Sequence, residues 1–126
     1  MNYLIAGAGY TGLSVAKQLQ GEKVTLLSRS FNNKLGFDNQ KIDLDKDDFT
    51  ISITSPFVVL YTIPPNTASL SDERLKLFLK KLKINPNRIV YLSSSGVYGD
   101  RKGDYTDETV KPNPITKRAI RSNSVC

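Results

Sequence analysis

Three glycines near the N-terminus have the spacing of a loop that binds a diphosphate. They follow a short apolar run and precede a segment with helical spacing, in the order Gly7, Ala8, Gly9, Tyr10, Thr11 and Gly12. In a G-x-G-x-x-G loop the first glycine permits a tight turn, the second lets the backbone approach the anion, and the third lets the helix pack closely. The helix N-terminus then offers N–H groups and partial positive charge. The alternative is a tight strand-to-helix turn that binds no ligand.

The end of the second predicted strand, residues 23–28, indicates which dinucleotide this loop would bind. NAD-binding proteins have a carboxylate about 20 residues after the glycines, which accepts a hydrogen bond from the ribose 2′-OH. This chain has Ser28, Arg29 and Ser30 there instead. Arginine can bind a 2′-phosphate through two parallel hydrogen bonds, and the two hydroxyls can assist it. The sequence therefore predicts NADP in preference to NAD, the alternative being that Arg29 is a solvated residue at a strand end.

Two later strand ends supply further candidates for dinucleotide binding. These are Asp43, Leu44, Thr62, Ile63 and Pro64. Asp43 would place a carboxylate near the adenine amino group, or would equally well form part of an acidic loop. The segment that begins at Thr62 would lie along the ribose and nicotinamide, although a proline there can simply end a strand.

Apolar runs and helical periodicity alternate along the chain. Strands are predicted at 2–6, 23–28, 42–44, 57–62 and 88–93, and helices at 11–20, from 71 and from 115. Between them, 30–39 is predicted to be a loop or weak helix, and 96–114 a loop. Residues 49–55 have the alternation of a strand and not of a helix, and no element is assigned to them. Strands that alternate with helices favour parallel pairing and right-handed crossovers. The predicted fold is therefore α/β, a Rossmann-type doubly wound parallel sheet of about five strands, in one domain covering residues 1–126.

The helix predicted from residue 71 has the clearest sequence markers. Ser71 is its predicted N-cap, and Leu70 and Leu75 occupy the two positions of a hydrophobic staple. An apolar stripe with helical spacing predicts the face that packs on a core, and it consists of Leu75, Phe78, Leu79 and Leu82.

Composition excludes several classes of protein. Of 126 residues, 39% are hydrophobic and 24% are charged, as in an ordinary globular protein. The chain has no His and a single Cys, at position 126, which excludes a His-based triad, a zinc site built by this chain and an internal disulfide. No apolar run approaches the ~20 residues of a membrane span, and no signal-like segment is present, so we expect a cytoplasmic protein without a membrane partner.

The net charge of +6 lies entirely in residues 71–126. A basic half can indicate a phosphate-rich partner such as a nucleic acid. Single-strand binders interleave aromatic residues with the basic ones, and this segment does not. We therefore interpret the basic half as a solvated helix face with a polar tail, and expect no nucleic-acid partner.

A segment after the fifth predicted strand suggests a family. Residues 91–100 read Y-L-S-S-S-G-V-Y-G-D and closely resemble a motif of the extended and atypical short-chain dehydrogenase/reductases, the nucleoside-diphosphate-sugar epimerase-like proteins. The glycine loop and the other candidates lie where that family has them, so the resemblance covers essentially the whole chain. It implies that Ser94 is the catalytic serine that bonds the substrate's reacting oxygen. Alternatively, its hydroxyl satisfies backbone groups at the strand end.

The family's catalytic Tyr-x-x-x-Lys pair is missing where the resemblance would place it. Lys117 and Arg121 occupy the two positions, so no phenol is present. In lacking this pair, the chain resembles an atypical branch of the family. Tyr98 and Lys102 also fit Tyr-x-x-x-Lys, but they lie in a predicted loop and not on the following helix, and we interpret that match as coincidence.

The resemblance implies the NAD(P)-binding part of a sugar-nucleotide epimerase or reductase, with a small-molecule substrate such as a sugar nucleotide. Members of the family continue into a C-terminal substrate-binding part, so we expect a fragment with little or no turnover of its own. The alternatives are a non-catalytic NADP-binding regulatory or interaction module, and a working enzyme that uses Ser94 with a second donor such as Tyr98.

Overall fold

Five parallel strands form one sheet in the part of the chain that this computed structural model describes, which is residues 1–30, 36–66, 70–93 and 98–125. In chain order the strands are β1 (Asn2–Ala6), β2 (Lys23–Ser28), β3 (Asp38–Lys41), β4 (Phe57–Tyr61) and β5 (Arg88–Tyr91). Their order across the sheet is β3-β2-β1-β4-β5. This order reverses direction between β1 and β4, as in doubly wound dinucleotide-binding sheets, and the predicted Rossmann-type fold is confirmed.

The three central strands have most of their side chains buried or partly buried, which is why their sequences are largely apolar. The side chains of Leu4 and Ile5 in β1 are at most 1% exposed. In β4, Phe57, Val59 and Tyr61 are fully buried. Because Ala6 pairs with Leu27 on one side and with Tyr61 on the other, β1, β2 and β4 end level with one another. The segments that follow these strands therefore leave the sheet at the same edge.

Three helices occur in the described residues, and their ends differ slightly from the predicted ones. They are α1 (Tyr10–Gln18), α2 (Glu73–Lys81) and α3 (Lys117–Asn123). The prediction of Ser71 as the N-cap of α2 is wrong, because the buried carboxylate of Asp72 accepts the hydrogen bond from the Leu75 N–H at 3.0 Å. The cap shifts by one residue, so Leu70 loses its place in the predicted staple and is 54% exposed.

The apolar stripe of α2 is partly confirmed. Leu75 is 7% exposed, and the ring of Phe78 is fully buried with its centroid 5.2 Å from that of Tyr61 in β4. Leu79 is 42% exposed, although its spacing placed it in the stripe. The strand predicted at 88–93 ends at Tyr91, and Ile89 and Val90 are 40% and 47% exposed because β5 lies at the edge of the sheet.

The third strand and the connection that follows it are where the structure differs most from the sequence patterns. The third strand is Asp38–Lys41 and not 42–44, so it begins inside the predicted loop, of which residues 31–35 lie outside the described residues. Residues 49–55 form no strand, although Phe49 and Ile51 are buried. Burial of alternate side chains against the core produced the strand period there, without the backbone pairing that defines a strand.

The described chain consists of two compact units. The first comprises Met1–Ile63 and Leu77–Leu92 and contains the whole sheet, whereas the second comprises Pro64–Lys76 and Ser93–Cys126. Within the described ranges, no helix is long and apolar enough to cross a membrane. The described residues also contain no cluster of acidic, His or Cys side chains that would hold a metal ion.

Candidate functional site

The glycine loop between β1 and α1 is shaped by close backbone approaches. Gly7 has a φ of +108°, a conformation that side-chain-bearing residues rarely adopt. A Cβ placed at Gly12 would overlap the carbonyl oxygen of Gly7 and lie 3.2 Å from a methyl group of Ile5. The first and third glycines of the motif are therefore required by the turn and by helix packing.

Gly9 differs from the first and third glycines of the motif because the fold itself does not require a glycine at this position. Its φ of −81° and ψ of −163° are accessible to any residue, and a Cβ at this position would meet no atom of the described residues within 4 Å. Gly9 is the N-cap of α1 and has no side chain to bond the first N–H groups, and the first turn of α1 contains no acidic residue. The helix N-terminus thus keeps its partial positive charge, next to open space over Gly9.

Thr62 holds the glycine loop against the end of β4. Its hydroxyl donates to the carbonyl oxygen of Ala6 at 3.0 Å and also lies 3.3 Å from that of Gly7. A Cβ at Gly7 would overlap the Thr62 hydroxyl and lie 3.3 Å from the side chain of Ile63. The structure therefore brings Thr62 and Ile63 to the glycine loop. Pro64 belongs to the second unit, where its carbonyl oxygen accepts a hydrogen bond from Arg74 Nη1 at 2.9 Å.

A cavity of about 470 Å³ opens beside the ends of β2 and β3, and we call it the β3 cavity. It is lined by Arg29, Lys41, Ile42, Asp43, Lys46, Asp48 and Phe49. Ser28 pairs with Lys41 in the sheet, and the Ile42 N–H donates to the Ser28 carbonyl oxygen at 2.8 Å, so the residues after the two strands are neighbours. The structure thus brings Arg29 and Asp43 together.

Two lysines in the β3 cavity are absent from the sequence-based candidates. Lys41 and Lys46 line it with Arg29, so the cavity has three cationic side chains against two carboxylates. The sequence pattern predicts the third strand at residues 42–44, so it does not indicate that Lys41 lies at a strand end. Leu44, which was a candidate, is 7% exposed and does not line the cavity.

Some of the candidate polar groups are occupied by their own turns. The Ser28 hydroxyl donates to the carbonyl oxygen of Ser30, so it shapes the turn that carries Arg29. One carboxylate oxygen of Asp43 accepts from the N–H of Asp45 at 2.9 Å. The guanidinium of Arg29 is exposed, and the structure leaves it accessible from solvent.

An ion pair involves a residue that lies between lining residues of the β3 cavity in the sequence. The Nζ of Lys81, near the end of α2, is 2.6 Å from Oδ1 of Asp47 and 5.1 Å from the ring centroid of Phe49. The hydrogen bond and the positive charge of Lys81 hold the pKa of the Asp47 carboxyl below its ordinary value. Asp47 therefore keeps its negative charge across the neutral and mildly acidic range.

The catalytic candidates that the structure describes belong to the second unit. Ser94 lies outside the described residues. Tyr98 and Lys102 are separated by Gly99, whose φ is +73°, and Lys102 itself has a φ of +52°, so this segment is not helical. Lys117 and Arg121 lie one turn apart on α3, where Lys117 is exposed and Arg121 is 6% exposed. Neither of these positions of α3 carries a phenol.

Three solved structures illustrate what the chain is similar to. A protein from Methylobacillus flagellatus, provisionally named as an NAD-dependent epimerase/dehydratase, matches 98% of this chain at 31% identity with a TM-score of 0.83. A UDP-galactose 4-epimerase matches 98% of the chain at 19% identity with a TM-score of 0.80. A short-chain dehydrogenase/reductase superfamily protein from Agrobacterium tumefaciens with bound NAD matches 98% at 17% identity with a TM-score of 0.73.

The resemblance stated from the sequence is thereby confirmed. The chain covers 48%, 48% and 42% of these three proteins, so it spans about half of their length. The two structures below 25% identity support the fold alone, whereas the protein from Methylobacillus flagellatus also supports the relationship in sequence. Neither a protein-family model nor a curated protein matches the sequence.

Proposed function

The chain resembles the epimerase-like short-chain dehydrogenase/reductases in fold and sequence, and from this we propose that it binds a nicotinamide dinucleotide. The observation that carries the proposal is the open space over Gly9. A glycine that neither the backbone conformation nor the packing requires is explained by a ligand that needs the backbone bare. The diphosphate would accept hydrogen bonds from the first N–H groups of α1.

The adenosine end of the dinucleotide would occupy the β3 cavity, and a 2′-phosphate would make NADP the preferred cofactor. Arg29, Lys41 and Lys46 supply three cations for that phosphate, and no carboxylate follows β2 to accept from a free 2′-OH. Asp43 would face the adenine amino group with the carboxylate oxygen that its own turn does not use. Thr62, Ile63 and Pro64 would lie along the ribose and the nicotinamide.

We propose that the substrate is a sugar nucleotide, since several of the similar structures are sugar-nucleotide epimerases by name. Ser94 would donate a hydrogen bond to the reacting oxygen of that substrate. Epimerase chemistry in this family also needs a phenol of lowered pKa to move a proton, and α3 has Lys117 and Arg121 instead. We therefore propose that the chain has little or no turnover of its own.

The missing phenol favours a second candidate, a non-catalytic NADP-binding module that regulates or recruits another protein. A turnover measurement distinguishes this non-catalytic module from a working enzyme. With candidate sugar nucleotides present, we expect NADPH to be oxidised no faster than in a protein-free control. Oxidation that is lost in Tyr98→Phe would instead identify Tyr98 as the proton donor and contradict our interpretation of that residue.

Calorimetric titration of the chain with NADP and with NAD tests the proposed function. We expect one site per chain and tighter binding of NADP. Equal or tighter binding of NAD would contradict the role of the three cations, and failure of both dinucleotides to bind would contradict the function itself.

A further inference from the structure

We propose that Lys81, which does not line the β3 cavity, is a positioning residue for the adenosine end of the dinucleotide. This inference rests on the proposed function. It concerns the wall of the cavity that is contributed by the connection between β3 and β4, with Asp48 and Phe49 among the lining residues. This wall is irregular backbone, so no ladder of backbone hydrogen bonds holds it in place.

One ammonium group contacts the residues on both sides of Asp48. The Nζ of Lys81 is 2.6 Å from the carboxylate of Asp47, donates to the backbone carbonyl oxygen of Asp47 at 3.5 Å, and lies over the ring of Phe49 at 5.1 Å. The side chain of Lys81 is 24% exposed, compared with 67% for Asp47, so the ammonium is the less hydrated partner. A single cation thus fixes the backbone and the ring that bracket Asp48.

A second tie holds the same wall further along the chain. The side-chain amide of Gln40 in β3 donates to the carbonyl oxygen of Ser52 at 2.6 Å and accepts from its N–H at 3.0 Å. This pair attaches one end of the wall to the sheet, whereas Lys81 attaches the Asp47–Phe49 part to α2. Loss of Lys81 would therefore free Asp47 and Asp48 and leave the rest of the wall anchored, including Phe49, which is buried in the core.

Loss of Lys81 is predicted to weaken only the binding of the adenosine end of the dinucleotide. Freed from Lys81, Asp47 and Asp48 would sample several positions while the buried Phe49 stays in the core, and a ligand would have to select the position that fits it. We expect Lys81→Met to weaken the binding of NADP and of 2′,5′-ADP by the same factor, about 3- to 10-fold, given the usual strength of an exposed ion pair and a cation–π contact. Lys81→Arg, which keeps the positive charge, is expected to retain most of the wild-type affinity for both ligands.

The experiment is calorimetric titration of the full chain and its variants with NADP and with 2′,5′-ADP. Lys83→Met is the matched control, because Lys83 is an exposed lysine close to Lys81 in the sequence. A merely structural role would lower the melting temperature or the number of binding-competent chains and leave Kd unchanged. Asp47→Asn breaks the same pair from the exposed side, and serves as the second variant should Lys81→Met fold poorly.

The outcomes separate this inference from the function on which it rests. A raised Kd for both ligands in Lys81→Met and Asp47→Asn, with wild-type stoichiometry, supports the positioning role. Wild-type affinity in both variants overturns it and leaves the proposed function intact. Absence of binding to the wild-type chain overturns both.

Discussion

The Cα of Gly12 packs against the carbonyl oxygen of Gly7, and a side chain at position 12 would overlap that oxygen. The two glycines bring the first turn of α1 down onto the end of β1, with a methyl group of Ile5 only 3.2 Å from where a Cβ would stand. This contact fixes the direction in which the helix N-terminus points. The anion-binding character that we propose for the loop depends on that direction.

Gly12→Ala is expected to destabilise the fold. A helical Gly→Ala change alone would be favourable, but overpacking against backbone atoms typically costs about 1–3 kcal/mol and the carbonyl of Gly7 has no flexible side chain to move aside. Urea unfolding measures the effect, with Ser14→Ala on the exposed face of the same helix as the control. A Gly12→Ala variant as stable as the wild type would contradict the packing role of this glycine.

Thr62→Val removes the hydroxyl that ties β4 to the glycine loop and keeps the shape of the side chain. Loss of the hydrogen bond to Ala6 is expected to lower the free energy of unfolding by about 0.5–1.5 kcal/mol and to weaken dinucleotide binding. Thr62→Ser, which keeps the hydroxyl, is the matched control. If the Val variant unfolds and binds like the wild type, the hydroxyl does not hold the loop.

Arg29→Met is expected to change the choice between dinucleotides. A charge-assisted hydrogen bond contributes about 1.5–3 kcal/mol, so the Kd for NADP should rise about 10- to 150-fold while that for NAD changes little. Arg88→Met, at an exposed arginine of β5, controls for the loss of one positive charge. An equal loss of affinity for both dinucleotides would place Arg29 away from the 2′-phosphate.

The pair of Lys81 and Asp47 makes a contribution to stability that depends on pH. Lys81 lowers the pKa of Asp47 in the folded chain, first through the hydrogen bond and second through its charge, from an ordinary value of 3.8. The folded state therefore binds this proton less readily than the unfolded state, so the contribution is present above that value and is lost as the pH falls through the folded-state pKa.

Urea unfolding of the wild type and of Lys81→Met at several pH values measures this contribution. We expect a stability difference at about pH 6 that shrinks as the pH falls below about 4. Asp47→Asn, which cannot titrate, should show no such change relative to Lys81→Met. A difference that grows towards acid pH would contradict the sign of the pKa change.

The sequence predicts the sheet and its glycine loop well, because both rest on local patterns. Buried parallel strands such as β1 and β4 are continuous apolar runs, and the turn at Gly7 needs a glycine wherever it occurs. The family resemblance added the expected positions of the cofactor and substrate residues.

What the sequence could not predict depends on contacts between distant segments. Alternation of Phe49 and Ile51 indicated a strand, whereas their burial comes from an irregular segment held by Gln40 and Lys81. The N-cap of α2 moved from Ser71 to Asp72, since two neighbouring residues are both good caps and packing decides between them. Lys41 was missed because the third strand was placed a few residues too late.

Titration of Gly9→Ala with NADP tests the central claim most directly. The backbone conformation and the open space at Gly9 accept a methyl group, so the variant should unfold at the same urea concentration as the wild type. We predict that it loses most of its affinity for NADP, whereas Ser14→Ala keeps it. Wild-type affinity in a stably folded Gly9→Ala would show that no diphosphate rests against the backbone at this turn.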